Sequence, residues 1–494
     1  MDAIVMTHIL DGPRIVAVTR GERIESVHRA AWCVADDTGR IVDAAGEQDV
    51  PVFLRSAAKP FIAGAIVRAG VAERFGFEPR EIAIVAGSHN GEPFHIDAVR
   101  SMLHKLGLPE SALQCGPHLP YDEAAADALV RSGAYPQAIH NNCSGKHAGI
   151  LGLALMLGAP LENYLDADNP AQQVILDFCA RLCGVAPDRL ALGVDGCGIP
   201  VFAIPLPSAA VAFARLATLR DIDADDARAL RTVREAMMAV PEYIGGTGEF
   251  DTALMRAGDG TVVAKSGAEG VHGMAAIGSG LGAVLKVVDG NARAVAPATM
   301  ELLRRTALVS ESVLRELAPF AKPQLRNRAK RLVGDMEPLP AEPLTSYDLL
   351  ESQARALLDG ERDLVANAAN IAALVYDEVP DVNWAGFYFM GDDGTLVLGP
   401  FGGKPACTRL APGRGVCGVA ATRRETVVVD DVRAFADHIA CDSASRSEIV
   451  VPLLQGDRVR GVLDIDSPSV GRFTDADRRG IEALARVFSQ AAYG

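Results

Sequence analysis

Two clusters of chemistry-bearing residues stand far apart in this chain of 494 residues: NNCSGKHAG (Asn141 to Gly149) and HIACDSASRSEIVVPL (His438 to Leu453). The first sets a thiol (Cys143), an amine (Lys146) and an imidazole (His147) where the chain enters an apolar stretch. That stretch reads as a buried helix, and a helix N-terminus lowers a thiol pKa and favours anions. Another thiol, Cys197, follows the strand LALGV in the glycine turn Asp195-Gly-Cys197-Gly. Upstream, LRSAAKPF places Lys59 three residues after Ser56, with Pro60 just inside a helix. Both side chains then share a face, and a deprotonated lysine can take the serine proton, as in Ser-Lys acyl transfer. Ser88, in the turn after EIAIVAG, and Lys265, in AKSGAEG, form a second candidate pair. S-x-x-K arises by chance about twice in a chain of this size. The plainer readings are an N-cap for Ser88 and a solvated strand end for Lys265. Each cysteine also has a plainer reading as an inert buried thiol, which we assign to Cys33, Cys115, Cys179 and Cys183.

In the last third of the chain Cys407, Cys417 and Cys441 fall close together, without the C-x-x-C pair that a structural zinc site usually wants. Redox chemistry suits them better: one thiolate attacks, a second resolves, and a reductant recycles the pair. Glu448, in SEI, and Asp464 and Asp466, in LDIDSP, lie on flanking strands, and at i and i+2 the two aspartates share a face. An acidic edge-strand surface is the competing reading.

The elements that must position these groups follow from composition and period. A net charge of -15 leaves no basic face for a nucleic-acid backbone and disfavours anionic membrane surfaces, so small-molecule substrates are expected. The longest apolar run, Ala148 to Leu161, falls short of the roughly 20 residues that span a bilayer. The opening MDAIVMTHILDGPR lacks the pattern of a secretory signal, and nine cysteines is an odd count. Both predict thiols in a reducing cytoplasm. EIAIVAG (Glu81 to Gly87) reads as a buried strand, and Phe94, Val99, Leu103 and Leu106 follow at helical spacing. From Asp251 to Arg293 strands are separated by Gly-Asp-Gly and Asp-Gly-Asn, which are hairpin signals. A mixed α/β or α+β architecture is predicted. DMEPLPAEPL (Asp335 to Leu344) is the linker candidate, and it divides the chain into residues 1–335, a proline-rich linker 336–344, and residues 345–494. Beyond it come a helix from Tyr347 to Val379, a strand from Val382 to Met390, and paired strands Glu448 to Leu454 and Gly461 to Asp466. A terminal helix starts at Asp475. That order predicts an α+β sensor-type domain on an antiparallel sheet.

Taken together, RSAAKPF, GSHNGE, NNCSGKHAG, VDGCGIP and KSGAEG resemble, in order and spacing, the bacterial L-asparaginase II family of the thermolabile Rhizobium type. The resemblance covers residues 5 to 335 and implies a fold similar to the serine β-lactamase and glutaminase architecture. It implies hydrolysis of the asparagine side-chain amide to aspartate and ammonia, with Ser56–Lys59 and Ser88–Lys265 as two Ser-Lys tandems and Ser56 as nucleophile. Cys143, Lys146 and Cys197 match positions that hold a labile zinc ion, with Asp195 and His147 beside the substrate. Asn90 stands where the family often has serine, which bears on substrate preference. VNWAGFYF, LVLGPFGGKPAC, GRGVCG, HIACDSASRSEIVVPL and GVLDIDSP look like the free methionine-(R)-sulfoxide reductases, a catalytic version of the GAF domain, over residues 345 to 494. There Cys441 would attack the sulfoxide sulfur, Cys407 would resolve it, and Cys417 would be an auxiliary thiol. Glu448, Asp464 and Asp466 would hold the substrate amine and protonate the oxygen, with Trp384 and Tyr388 walling the methyl group. The expectation is a cytoplasmic, bifunctional homodimer that uses no organic cofactor and takes electrons from thioredoxin. Two other readings stay open: a non-catalytic GAF amino-acid sensor regulating the asparaginase, and a penicilloyl-serine transferase for the first part.

Overall fold

The computed structural model describes residues 10–339, 347–435, 444–456 and 458–493 of two compact units, Met1–Leu344 and Thr345–Gly494. Among the described residues, no helix is long and apolar enough to cross a membrane.

The first unit combines helices with an antiparallel sheet. Its strands run in the order Gln324–Arg326, Leu332–Pro338, Arg14–Arg20, Arg23–Ala35, Leu281–Val287, Val271–Ala276, Val262–Gly267, and Ile41–Ala45 pairs with Arg23–Ala35. Residues 30 to 35, AAWCVA, are buried in succession, as a strand covered on both faces must be. Helices fill the chain between its early and late strands. Helix Ser144–Leu157 is apolar on every side and buried through its first eleven residues, ending at Gly158 with φ +62°. Gly145 lets its first turn approach the helix Pro79–Ala86, because a Cβ there would lie 2.5 Å from the Ile84 carbonyl oxygen.

Three local readings are corrected. Glu81–Gly87 is not a strand but the body and end of helix Pro79–Ala86. Pro79 in the first turn and the Glu78/Glu81 capping box start a helix there, and burial on all sides hides its period. Gly-Asp-Gly at 258–260 closes helix Phe250–Gly258, with Asp259 at φ +40°, and Asp-Gly-Asn at 289–291 follows the last strand of the group. The hairpin turns are instead at 268–270 and 277–280. The linker is also shorter than expected, since Leu332–Pro338 is a strand paired with Arg14–Arg20 through Val16↔Pro338 and Val18↔Met336. Met336 supplies a buried side chain, and Pro338 sits at the strand's end, where its missing N–H removes little of the ladder.

In the second unit a fully antiparallel sheet runs Arg409–Leu410, Leu396–Gly403, Trp384–Met390, Arg458–Ser467, Ser447–Gln455, Val427–Val429. Strand alternation splits its side chains between two cores. Ala385, Phe387, Ile449, Val451, Leu463 and Ile465 pack with helices Tyr347–Leu358, Leu364–Glu378 and Asp475–Tyr493. Trp384, Tyr388, Val450 and Val462 pack on the other face with helix Gly415–Arg423. The expected helix over 347–379 is two helices. Gly360, at φ +76°, breaks it, and Asp363 caps the second by accepting bonds from Val365 and Ala366 N–H.

Candidate active sites

In the first unit the Ser-Lys chemistry centres on Lys59. It opens helix Lys59–Arg68, is fully buried, and its Nζ donates to the Gly87 carbonyl, to Ser88 Oγ at 3.0 Å and to the Asn142 carbonyl at 3.4 Å. Burial pushes its pKa down to about 8, and the nearby cations Lys146 and Lys265 act in the same direction. Ser88 is fixed from behind: its N–H bonds the Ile244 carbonyl at 2.7 Å, and a Cβ at Gly87 would meet the Tyr243 carbonyl oxygen at 2.2 Å. The observed contact is therefore Lys59–Ser88, whereas the spacing predicts Lys59–Ser56. Ser56, half-buried, lies in the 3-10 turn Arg55–Ala58 just before the helix.

Lys265 lies on strand Val262–Gly267, buried, with Nζ donating to the Ser266 carbonyl at 2.7 Å and 3.6 Å from Asp251 Oδ2. Its expected partner Ser88 makes no hydrogen bond to it. The strand reaches the Ser56 turn through Gly267, where a Cβ would stand 2.7 Å from the Leu54 carbonyl oxygen and 3.1 Å from the Ala57 nitrogen.

Beside them lie the sulfur residues. Cys143 is the N-cap of helix Ser144–Leu157, and Lys146 Nζ donates to Cys197 Sγ at 3.0 Å. The Cys143 pKa is held well below the usual thiol range, first by a hydrogen bond from Cys197 and then by Lys146 and Lys59 against the cost of burial. Asp195 Oδ1 accepts from Arg55 Nε at 2.7 Å, and Lys146 is 3.9 Å away; these two cations hold its carboxyl below the usual range despite burial. His147 bonds the Tyr164 hydroxyl through Nδ1 at 2.8 Å, while its Nε2 is buried with no partner. Burial, with Lys146 and Lys59 adding to it, keeps that imidazole neutral.

Sequence reasoning missed Arg55, Tyr164 and Asp251. Arg55 holds φ +50°, a left-handed conformation that L side chains rarely adopt, directly before Ser56. No pattern in RSAAKPF signals it. Asn90, read for substrate preference, is tied by its Nδ2 to Glu249 Oε1 at 3.0 Å.

In the second unit register lines up the predicted groups. Trp384 is opposite Asp466, Asp466 is opposite Glu448, and one row along Gly386 and Val450 flank Asp464. Cys417, in the first turn of helix Gly415–Arg423, donates to Asp464 Oδ2 at 3.2 Å. Donor atoms of Cys417, Glu448 and Asp464 lie within 4.8 Å of one another, all buried. Burial first, then the neighbouring carboxylates, pushes the pKa of Glu448, Asp464 and Cys417 well up, which favours protonated forms. The Trp384 and Tyr388 rings stack 6.0 Å apart, and Trp384 Nε1 bonds the Lys404 carbonyl at 3.0 Å. Gly386 between them leaves room for the indole, since a Cβ there would lie 2.6 Å from it. Cys407 packs at the rim of the same core. Cys441, together with His438, falls outside the described residues.

The family model for L-asparaginase II matches residues 16–338, and that for a GAF domain matches residues 365–491. The free methionine-R-sulfoxide reductase of Escherichia coli K12 is 52% identical over 138 residues, 28% of this chain and 83% of that protein. Protein YtsP of Bacillus subtilis 168 is 49% identical over 146 residues, 29% of this chain and 90% of that one. Among solved structures, the reduced form of fRMsr from Staphylococcus aureus is 44% identical, covering 30% of this chain and 96% of its own, with a TM-score of 0.29.

Proposed function

As this chain belongs to the L-asparaginase II family and carries a GAF domain after it, we propose that it joins two activities: hydrolysis of L-asparagine to L-aspartate and ammonia, and thiol-dependent reduction of free L-methionine-(R)-sulfoxide.

The observation that carries the first is a fully buried amine, lowered to about 8, in hydrogen-bond contact with a hydroxyl. At neutral pH a fraction of Lys59 is uncharged and can accept a proton as general base. A serine Oγ bonds to the side-chain amide carbon and its proton passes to Lys59 Nζ. The C–N bond then breaks, with the lysine returning the proton to the leaving ammonia. Water hydrolyses the resulting β-aspartyl ester. Burial lowers the Lys265 pKa and Asp251 works against that lowering; as an ammonium, Lys265 would face developing negative charge. The nucleophile is Ser56 on the family resemblance. A second reading, favoured by the Lys59 contact, makes it Ser88. Mass spectrometry of an acid-quenched reaction decides between them by locating the aspartyl ester. Loss of ammonia release in both Ser56→Ala and Ser88→Ala with no ester trapped on either would sink the covalent route.

The donor set of Cys143, Cys197 and Lys146 fits a zinc ion, with the Cys197 sulfur hydrogen-bonded to both the Lys146 amine and Cys143 and a carboxylate close by. Lysine must lose a proton to join it, so the ion would be weakly held. When bound, zinc would supply positive charge for a substrate carboxylate. Asp195 and Arg55 offer the complementary pair for an ammonium and a carboxylate.

For the second unit the reading is supported by Trp384, Asp466 and Glu448 standing opposite one another across three strands, and by the named relatives. A protonated Glu448 or Asp464 gives its proton to the sulfoxide oxygen as the Cys441 thiolate attacks sulfur. The oxygen leaves with the cysteine as a sulfenic acid, methionine is released, and Cys407 forms a disulfide with loss of water. Thioredoxin then reduces the disulfide. The purified chain is tested for thioredoxin-dependent loss of the (R) epimer, which Cys441→Ser should stop. Binding without turnover by any thiol reductant would leave the sensor reading in its place.

A further inference from the structure

Asp251 is a buried carboxylate placed by neither motif. It stands in helix Phe250–Gly258 with its oxygens saturated by fixed donors. Oδ2 accepts from the Ser266 N–H at 2.7 Å, and Oδ1 accepts from the Ser266 hydroxyl at 2.7 Å and from His272 Nε2 at 2.9 Å. His272 Nδ1 meets the Thr299 hydroxyl at 3.1 Å, and the Phe250 ring covers the imidazole at 5.5 Å. Every member from Asp251 through His272 to Thr299 is buried. Such a network holds one arrangement, because moving any member strands a polar group away from water.

The network ends on Lys265. Its Nζ is bonded to the Ser266 carbonyl and lies 3.6 Å from Asp251 Oδ2, so the residue that anchors Asp251 also anchors the amine. Lys265 is also within electrostatic reach of Cys143 and Lys59. Two residues further along the strand, Gly267 touches the backbone of the Ser56 turn. Helix Phe250–Gly258, strand Val271–Ala276 and helix Val295–Thr306 thus converge on Asp251, the carboxylate beside Lys265, two residues before the glycine packed on the Ser56 turn.

We propose that Asp251, braced by His272 and Thr299, is a positioning residue for Lys265 and acts on amide hydrolysis only through that ammonium. The proposal rests on the amidohydrolase reading of the first unit. It gives the two buried lysines different duties: Lys59 contacts a hydroxyl and exchanges protons, while Lys265 is held in one place by Asp251 and the Ser266 carbonyl.

The test is a double-mutant cycle on the full chain, measuring kcat and KM for ammonia release in Asp251→Asn, Lys265→Ala and the pair. Asp251→Asn should lower kcat by about 10²-fold, the cost of a misplaced group, with KM nearly unchanged. In the Lys265→Ala background the same substitution should cost nothing more. Multiplied losses would show that Asp251 works by another route and overturn the proposal. His272→Gln, which keeps a donor toward Asp251, should retain more turnover than His272→Leu. Should Asp251→Asn fail to fold, Ser266→Ala removes one donor to the carboxylate and should move kcat the same way by less. A second readout needs no turnover: trace labelling with an amine reagent, read residue by residue, should modify Lys265 several-fold faster in Asp251→Asn and leave Lys322 unchanged. Equal Lys265 labelling would overturn the proposal. If the wild-type chain releases no ammonia, the amidohydrolase reading fails, and the labelling still decides the role of Asp251.

Discussion

Lys59 Nζ donates to Ser88 Oγ across 29 positions of sequence and makes no hydrogen bond to Ser56, three positions before it. Helical proximity sets which serine is near the lysine in sequence. The route of the chain out of helix Pro79–Ala86 sets which serine it holds.

The lowered Lys59 pKa gives a pH signature. A base must be unprotonated, so kcat/KM for ammonia release should climb with pH and level off above about 8. The same shift acts on stability. Below about 8 the buried amine carries its charge at full cost, and that cost disappears as pH rises towards the unfolded value of 10.5. Lys59→Met should therefore raise Tm most at pH 7 and least near pH 10.5, by calorimetry, while abolishing ammonia release.

Protein purified without chelator should carry about one zinc per chain. Cys143→Ser with Cys197→Ser should lose it, as read by elemental analysis. Unchanged zinc in the double variant would move the ion to another donor set, of which Cys417, Glu448 and Asp464 are one within the described residues.

Cutting the chain should give two working pieces only at the right place. A fragment ending at 339 keeps the strand Leu332–Pro338, whereas one ending at 331 leaves Arg14–Arg20 without that neighbour and loses buried Met336. The shorter fragment should melt at least several degrees lower, because a lost core methionine alone costs about 2–5 kcal/mol. Residues 345–494 alone should reduce methionine-(R)-sulfoxide. Equal melting of the two N-terminal fragments would show that the strand contributes little.

Gly386→Ala should damage the second activity selectively. The added Cβ would lie 2.4 Å from Phe401 Cβ and 2.6 Å from the Trp384 indole, so the ring has to move. The KM for free methionine-(R)-sulfoxide should rise about tenfold, equivalent to about 1.4 kcal/mol. Asparagine hydrolysis should not change. A wild-type KM would mean that Trp384 does not wall the ligand.

Much of the candidate sites' geometry was legible because their residues come in short runs whose local structure is strong. Cys143, Lys146 and His147 share one helix start, and Glu448, Asp464 and Asp466 share one sheet face by strict alternation. What could not be read was whatever depends on distant backbone. After Glu81 the segment Ile82–Gly87 is apolar throughout, and a fully buried segment shows neither helical nor strand period. The left-handed Arg55 has no marker, because residues of that type seldom adopt it and only the surrounding packing holds it there. Asp251 and His272 lie in ordinary-looking stretches and acquire meaning only when three elements converge.

The pairing of Leu332–Pro338 with Arg14–Arg20 also sets an order of events at the ribosome. The Thr19 and Asp335 partners are 316 residues apart, so the first strand made must wait for almost the last before that side of its sheet can close. Such long-range closure is slow and leaves an open strand edge exposed meanwhile. The sheet of the second unit, built wholly from residues that emerge later, begins to form only as that wait ends. Mistranslation or stalling near residue 330 would therefore release a chain whose first unit is assembled around an unfilled edge, prone to pairing with its own copies.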